Sequence, residues 1–431
     1  MPSLKRSLER LYRSERPVAV VYPAFSLNCY GVIRGLGEMG VPVLALDENP
    51  NPQFHSRYCT GLRSPDPKEH PEAFATFLAE LGARFKTKPV LYMMEDLYVW
   101  LAHRYRDRLE PYYRFSFVSE ATLEHCLDKR LTFQVADRIG VPTPRTFYPK
   151  DVRELMELEG AVPLPAIVKP VVARFDFRSG EASKICTFPK VFGSKAVRAD
   201  TFPELVRQFQ RVAALGIEAC VQEEIPGGQD LLYGSTLYAN ADSEALGIFV
   251  RTKLRQTPAD FGTMTLGRGI ASDEVRETSA RMAKALGFRG ICGMEYKYDP
   301  RDGQYKFLEI NPRGELWMNL ANHCGVNLPY LKYRDLTGNP VTAIQTNFSR
   351  KLVDLRDDFS LYFQRYRHDP RYGVSFADWF ASLTSGEIEE VVFNWKDPVP
   401  GFLRYWEYAQ RVFTKRTRGS HGSRTTLKEA P

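Results

Sequence analysis

Residues 307–317 read FLEINPRGELW. Side chains of a strand alternate between its two faces. By that rule Phe307, Glu309, Asn311 and Arg313 share one face, and Leu308, Ile310 and Pro312 share the other. A run in mid-chain that aims an acid, an amide and a guanidinium from one sheet face calls for a partner strand. The preceding run, 294–299, divides in the same way, with Met294, Tyr296 and Tyr298 on one side and Glu295, Lys297 and Asp299 on the other. The Asp302-Gly303 pair between the two runs signals a hairpin.

A three-residue loop, Arg301-Asp302-Gly303, with Gly303 left-handed, sets Glu295 opposite Glu309. It also pairs Met294 with Ile310 and Tyr296 with Leu308. A two-residue loop mixes apolar with polar faces, and register follows the hydrophobic pattern, so the first register is expected. Two carboxylates directly opposite one another repel, and a cation between them is expected. With Asn311 the donors are all oxygen, a set that suits magnesium or manganese. Arg313, next along the face, is placed for an anionic group. The plainer reading, a solvated hairpin face with incidental charges, accounts less well for the spacing of four polar groups.

The rest of the chain bounds this reading. Its 431 residues are too many for one ordinary core, so two or three domains are expected. Hydrophobic content of 43% and charged content of 26% are those of a soluble globular protein. No apolar run reaches the length of a membrane span, and the basic N-terminus lacks the apolar core of a signal peptide. Seven scattered cysteines with no CxxC suggest neither a zinc ribbon nor a disulfide framework, and favour a reducing, cytoplasmic setting. Much of the net charge of +7 lies at the two ends, in Lys5, Arg6, Arg10, Arg13 and Arg16 and in the tail KRTRGSHGSRTTLKEAP. Solvated termini are the plainer account of both.

VAVVY (18–22), a helical pattern over 28–39 and VPVLALD (41–47) make a βαβ unit, continued by a strand at 89–93 and a following helix. The first turn, PAFSLNCYG, is not G-x-G-x-x-G, so no dinucleotide fingerprint is read. Asp128 is expected to cap a helix over 129–139 that Gly140 ends. PAIVKP (165–170) is a buried strand interrupted by Lys169, which must meet an anion to offset its desolvation. From CVQEEIPGGQD onward, strand candidates intermixed with helices suggest an α+β domain with mostly antiparallel sheets. Arg251, Lys253 and Arg255 in VRTKLRQ share a strand face, either as a solvated edge or as a clamp for phosphate or carboxylate.

Glu295 in GMEYKYD with Glu309 and Asn311 in FLEINPR resembles the metal-binding strands of the ATP-grasp superfamily. NLANHCGVNLPYL resembles the segment that follows this motif in its amino-acid ligases, and the whole order resembles carboxylate–amine ligases of the D-aspartate ligase and carbamoyl-phosphate synthase large-chain type. The resemblance covers about 17–340. It implies an α/β N-terminal domain plus an α+β ATP-grasp fold of two lobes sandwiching ATP, with a C-terminal extension. The expected boundaries are a basic helix (1–16), a Rossmann-like pre-ATP-grasp domain (17–120), an ATP-grasp domain (121–340, lid lobe about 166–227), a helical and irregular region (341–413) and a disordered basic tail (414–431).

It further implies that Glu295, Glu309 and Asn311 bind magnesium or manganese and that Arg313 stabilises the transferred phosphoryl group or anionic intermediate. Lys129 and Lys169 match the lysines that reach the nucleotide phosphates. Gln222, Glu223, Glu224 and Ile225 match the hinge that holds adenine, and Asp230 the acid that meets the ribose, with its neighbour Gln229 as the alternative. The glycine-rich loop usual after the second lysine is replaced here by a long basic segment with Arg174, Arg178, Lys184, Lys190 and Lys195. Within it Gly193, Ser194 and Lys195 are the expected phosphate contact. Arg255 and Arg268 are the further catalytic candidates.

The implied reaction is ATP-dependent ligation of a small-molecule carboxylate to an amine. Other phosphoryl-transfer chemistry (a kinase or carboxylase), or a non-catalytic ATP-binding protein acting through its basic ends on membrane or nucleic acid, is the alternative. The intact Glu/Glu/Asn/Arg set argues against a degenerate sensor. Leu4, Leu8 and Leu11 amid arginines could lie on a membrane surface, although such a helix more often packs on its own domain. Nucleic acid is not the favoured partner, and a homodimer is compatible with the resemblance.

Overall fold

The structure is a computed structural model that describes residues 4–419 other than 173, 174, 176, 182–184, 370 and 371, with side chains as far as Arg411. Arg174 and Lys184 of the expected lid, and 420–431 of the expected tail, lie outside the described residues.

β1 (Ala19–Tyr22), β2 (Val43–Asp47), β3 (Cys59–Arg63) and β4 (Val90–Met93) form a parallel sheet in the order β3-β2-β1-β4. β1, β2 and β4 are buried along their whole length, which is why their sequences are apolar on both faces. β3, with the mixed sequence CTGLR, is half-buried at the edge and carries no comparable signal. Strand order reverses between β1 and β4, and sheets of this kind present ligands at the carboxyl ends beside that reversal. The chain leaving β4 there carries Glu95 and Asp96. The N-terminal helix, Leu4–Tyr12, packs Leu11, Leu8 and Tyr12 against the core of this domain.

Two antiparallel layers follow. β5 (Thr146–Phe147), β6 (Ala166–Pro170), β7 (Val197–Ala199) and β8 (Ala219–Glu223) make a small sheet in the order β5-β8-β6-β7. Helix Phe202–Ala213 covers it through Leu205, Phe209 and Val212. The large sheet has seven strands: β9 (Leu232–Ala239), β10 (Ala245–Thr257), β11 (Thr263–Gly269), β12 (Gly290–Asp299), β13 (Gln304–Asn311), β14 (Lys351–Val353) and β15 (Ile388–Glu390). Their order is β13-β12-β9-β10-β11-β14-β15, antiparallel except for the last pair. Two lobes therefore face each other, as the resemblance implied.

The β12–β13 hairpin has the expected register at its centre: Glu295 pairs with Glu309 and Met294 with Ile310. The route to it differs. The turn spans 300–303, one residue longer than expected, with Gly303 left-handed at φ +73° and its N–H donating to the Asp299 carbonyl at 2.8 Å. A bulge at Leu308 then restores the register, so that Tyr296 pairs with Phe307 instead of Leu308. Phe307 thereby leaves the polar face assigned to it and enters the core with Tyr296 and Ile310.

The C-terminal region is woven into the rest. β14 and β15 extend the large sheet. Between them, helices Leu355–Leu361 and Phe376–Thr384 build a small core of Leu361, Tyr362, Tyr366 and Trp379 around Ala259 of the β10–β11 connection. The last helix runs Pro398–Gly419, past the tail start expected at 414. Buried Arg34, on helix Asn28–Glu38, joins this region to the N-terminal domain by an ion pair with Asp397 (3.3 Å).

Candidate active site

A cleft of about 1080 Å³ opens between the small lobe and the large sheet. The small lobe supplies Lys169, which points from the interior of β6 and is 8% exposed. Its ammonium donates to Oε1 of Gln222 (2.9 Å), whose amide nitrogen in turn donates to the Thr146 hydroxyl (2.7 Å). Burial, with Lys129 adding repulsion, pulls the Lys169 pKa below its ordinary value against the opposing pull of Cys220, Glu309 and Glu295. Lys129 is the first residue of helix Lys129–Arg138, begun by Asp128, whose carboxylate accepts from the N–H groups of Arg130 and Leu131. It is buried and lines the same cleft.

β8 ends at Glu223, and the following residues form the inner edge of the cleft. Gln222, Glu223, Glu224 and Ile225 all line it. The Glu223 carboxylate is committed to structure: it accepts from the Arg145 N–H (2.8 Å) and from Arg301 (2.9 Å). Glu224 pairs with Arg198 at 3.0 Å. Asp230 lies exposed on the cleft surface just beyond. Lys297 fastens the intervening turn by donating to the carbonyls of Gly227 (2.8 Å) and Gly228 (2.6 Å), and burial lowers its pKa to about 8.

The large sheet contributes Glu295, Glu309 and Asn311, all on the cleft wall. The cation expected at the carboxylates is partly supplied by the chain itself: Lys253 on β10 reaches Glu295 at 3.0 Å. Burial and the nearby Glu309 push the Glu295 pKa up, but Lys253, with Arg251 and Lys195 behind it, outweighs them and the net shift is downward. Repulsion alone therefore does not require a metal. Among the described residues no group of three or more His, Cys, Asp or Glu side chains could hold a metal. The oxygen set is two carboxylates and one amide, which fits a hard cation that completes its shell with water or phosphate.

The other expected residues divide. Lys195 lines the cleft, whereas Gly193 and Ser194 stand off it, the Ser194 hydroxyl donating to the Asp260 carbonyl (3.3 Å). Arg255 lines the cleft, but its guanidinium is bound by Asp358 through two bonds of 2.8 Å and by Ser382 at 2.8 Å. Arg313 lies behind the wall, 5% exposed and paired with Asp96 at 3.1 Å. Arg268 is exposed and is not on the cleft surface. The face Arg251–Lys253–Arg255 is not a solvated edge, since each of the three is buried against a different carboxylate of the chain.

Sequence reasoning did not assign Lys297, although alternation placed it beside Glu295. It also passed over Glu95 and Asp96, which a strand-end rule could have found. Tyr366 and Tyr372, stacked at 4.5 Å, line the cleft from the C-terminal region, with hydroxyls on Gln229 (2.9 Å) and Asp260 (3.0 Å). No local pattern announces them.

Comparison with known proteins agrees with this architecture. Residues 263–355 match the model of a family described as ATP-grasp in the biosynthetic pathway with Ter operon. A D-aspartate ligase of Enterococcus faecium is 22% identical over 305 residues, 67% of this chain and 69% of that one. The crystal structure of an L-amino acid ligase from Bacillus licheniformis superposes with a TM-score of 0.54 at 15% identity, over 75% of this chain and 74% of that one. That of an N5-carboxyaminoimidazole synthetase from Staphylococcus aureus gives 0.59 at 12% identity, over 84% and 88%. With two lobes facing across a cleft lined by Lys129, Lys169, Glu295, Glu309 and Asn311, the chain is similar in fold to these ligases and synthetases, and its segment 263–355 to the ATP-grasp model.

Proposed function

We propose that the protein is an ATP- and magnesium-dependent, ADP-forming ligase that joins a carboxylate to an amine, the substrates being amino acids or peptides. One observation carries the reading: two buried lysines from one side and three oxygen donors from the other converge on a single cleft. The ligase relatives support it. In this reading Lys129, Lys169 and Lys195 meet the phosphates, the backbone at Glu223–Ile225 meets adenine and Asp230 the ribose. Glu295, Glu309 and Asn311 hold magnesium or manganese, which when bound neutralises phosphate charge and acts as a Lewis acid.

A substrate carboxylate oxygen attacks the γ-phosphorus, giving an acyl-phosphate and ADP. The amine then attacks the acyl carbon, and an amide forms with loss of phosphate and a proton. No side-chain nucleophile is required. The chain's task is to align reactants and to hold fixed charge where negative charge develops. Arg255 is bound to the C-terminal wall and Arg268 is off the cleft surface, so neither is given a direct part. Arg313 is assigned to hold Asp96 at the cleft edge. The setting proposed is the cytoplasm: none of the seven cysteines is paired, and no helix among the described residues is long and apolar enough to cross a membrane.

Calorimetry with ATP and magnesium tests the site. Absence of heat with the wild type, or an unchanged titration in Glu309→Ala, sinks it. Phosphate release screened over an amino-acid and peptide matrix, with mass spectrometry of the adduct, tests the reaction. Nucleotide binding with no acceptor in that matrix would return the protein to the non-catalytic alternative.

A further inference from the structure

We infer that Glu315, held by Arg251, is a positioning residue that decides which end of the Asn311 amide faces the cleft. The inference rests on the cation site proposed above. Neither Arg251 nor Glu315 lines the cleft, and both are buried. Arg251 is fully buried, its guanidinium 4.4 Å above the Trp317 ring and 2.6 Å from Oε2 of Glu315. The Thr236 hydroxyl also donates to Oε2, at 3.3 Å, and Oε1 accepts from Nδ2 of Asn311 at 3.1 Å.

The chemistry of the two groups settles the orientation. An ionised carboxylate only accepts hydrogen bonds, whereas an amide has a donor end and an acceptor end of nearly equal size. Beside Glu315 the Asn311 amide must present its NH2. Its oxygen is then the end turned away from Glu315; Arg313, from behind the wall, donates to it at 3.3 Å and so favours the same orientation, and Asn311 itself borders the cleft. The opposite rotamer would set oxygen against oxygen and aim NH2 at a cation.

The surrounding strands make room for this device. Gly234 is the register partner of Arg251, and Gly293 that of Asn311. A Cβ at Gly293 would run into the Glu315 carboxylate, and one at Gly234 into the Arg251 guanidinium. Two neighbouring strands have thus given up side chains to house one ion pair. Buried ion pairs seldom add net stability relative to a well-packed apolar pair. Holding a cation ligand's acceptor outward is a function an apolar pair cannot perform.

Manganese titration with a non-hydrolysable ATP analogue, followed by water-proton relaxation, tests it without turnover. Glu315→Gln is expected to weaken manganese binding at least ~10-fold, the lower end for loss of an outer-shell partner. Glu315→Gln combined with Asn311→Asp is expected to recover it, because the introduced amide donates to one carboxylate oxygen and leaves the other for the cation. Both variants deprive Arg251 of the same charge, so a shared fall in melting temperature cannot account for the recovery. If Glu315→Gln does not fold, Arg251→Met is added to both. Wild-type affinity in Glu315→Gln, or no recovery in the paired variant, overturns the positioning role alone. A wild type that binds no manganese–nucleotide overturns the site as well.

Discussion

Two polar strand faces read alike in this sequence and differ in the fold. On β13, Glu309 and Asn311 recur at a spacing of two; on β10, so do Arg251, Lys253 and Arg255. The hairpin face delivers its donors, with Glu295, to one cleft. The basic face is dispersed: Arg251 goes to Glu315 in the interior, Lys253 to Glu295 at the cleft and Arg255 to Asp358 on the C-terminal wall. Each strand carries an irregularity, at Leu308 and between Lys253 and Gln256. Alternation says which side chains share a face. What lies over that face depends on segments far away in the chain, here 315 and 358.

This contrast can be broken or sharpened by substitution, taken from the largest expected effect to the smallest. Arg255→Ala should cost about 3–5 kcal/mol of folding stability, because Asp358 is left buried without its cation. Denaturant unfolding would measure this, and a loss below 1 kcal/mol would mean that the C-terminal wall does not depend on the pair. Glu309→Ala should leave the melting temperature near that of the wild type but lower ATP-dependent phosphate release by about 10²–10³-fold. Comparable losses in both would make the hairpin face structural, like its neighbour. In Lys253→Met the two carboxylates lose the chain's own cation. The metal-free protein should be destabilised by about 1–3 kcal/mol, and added magnesium should raise its melting temperature more than it does that of the wild type. An equal magnesium response would show that Lys253 does not screen the pair. Arg268→Ala should change stability by no more than about 0.5 kcal/mol, as at ordinary surface sites, and leave phosphate release intact. A large loss of release would put Arg268 back at the site.

Much of the cleft lining was legible locally. Lys169 stands out because an ammonium in a buried strand needs an anion, and the structure buries it at the cleft. Glu295 and Glu309 could be paired because the apolar faces of two strands have to agree, and they do at this point. The loop length did not follow: the turn is one residue longer and the bulge absorbs it, so that Phe307 can reach the core. Glycines at 193 and 303 both adopt φ near +70°, yet only the second belongs to the site's own hairpin, while the first stands off the cleft. The arginines were least legible, since a guanidinium near a motif serves an ion pair as readily as a substrate.

The sequence by itself determined the parallel N-terminal unit, the mostly antiparallel sheets that follow and the strip of oxygen donors, while the two-lobed arrangement was implied by the resemblance. These depend on the period of apolar residues and on turn chemistry, which act over a few residues. Only the tertiary structure decided that a lysine from β10 screens Glu295, that Arg255 is spent on Asp358, that two tyrosines of the C-terminal region wall the cleft and that a Glu315 held by Arg251 accepts from Asn311. All but the last join groups far apart in the chain, and Glu315, four residues from Asn311, is itself held by Arg251, 64 residues away. Their pairing is set by desolvation, because a buried charge must find whichever opposite charge the fold brings within reach.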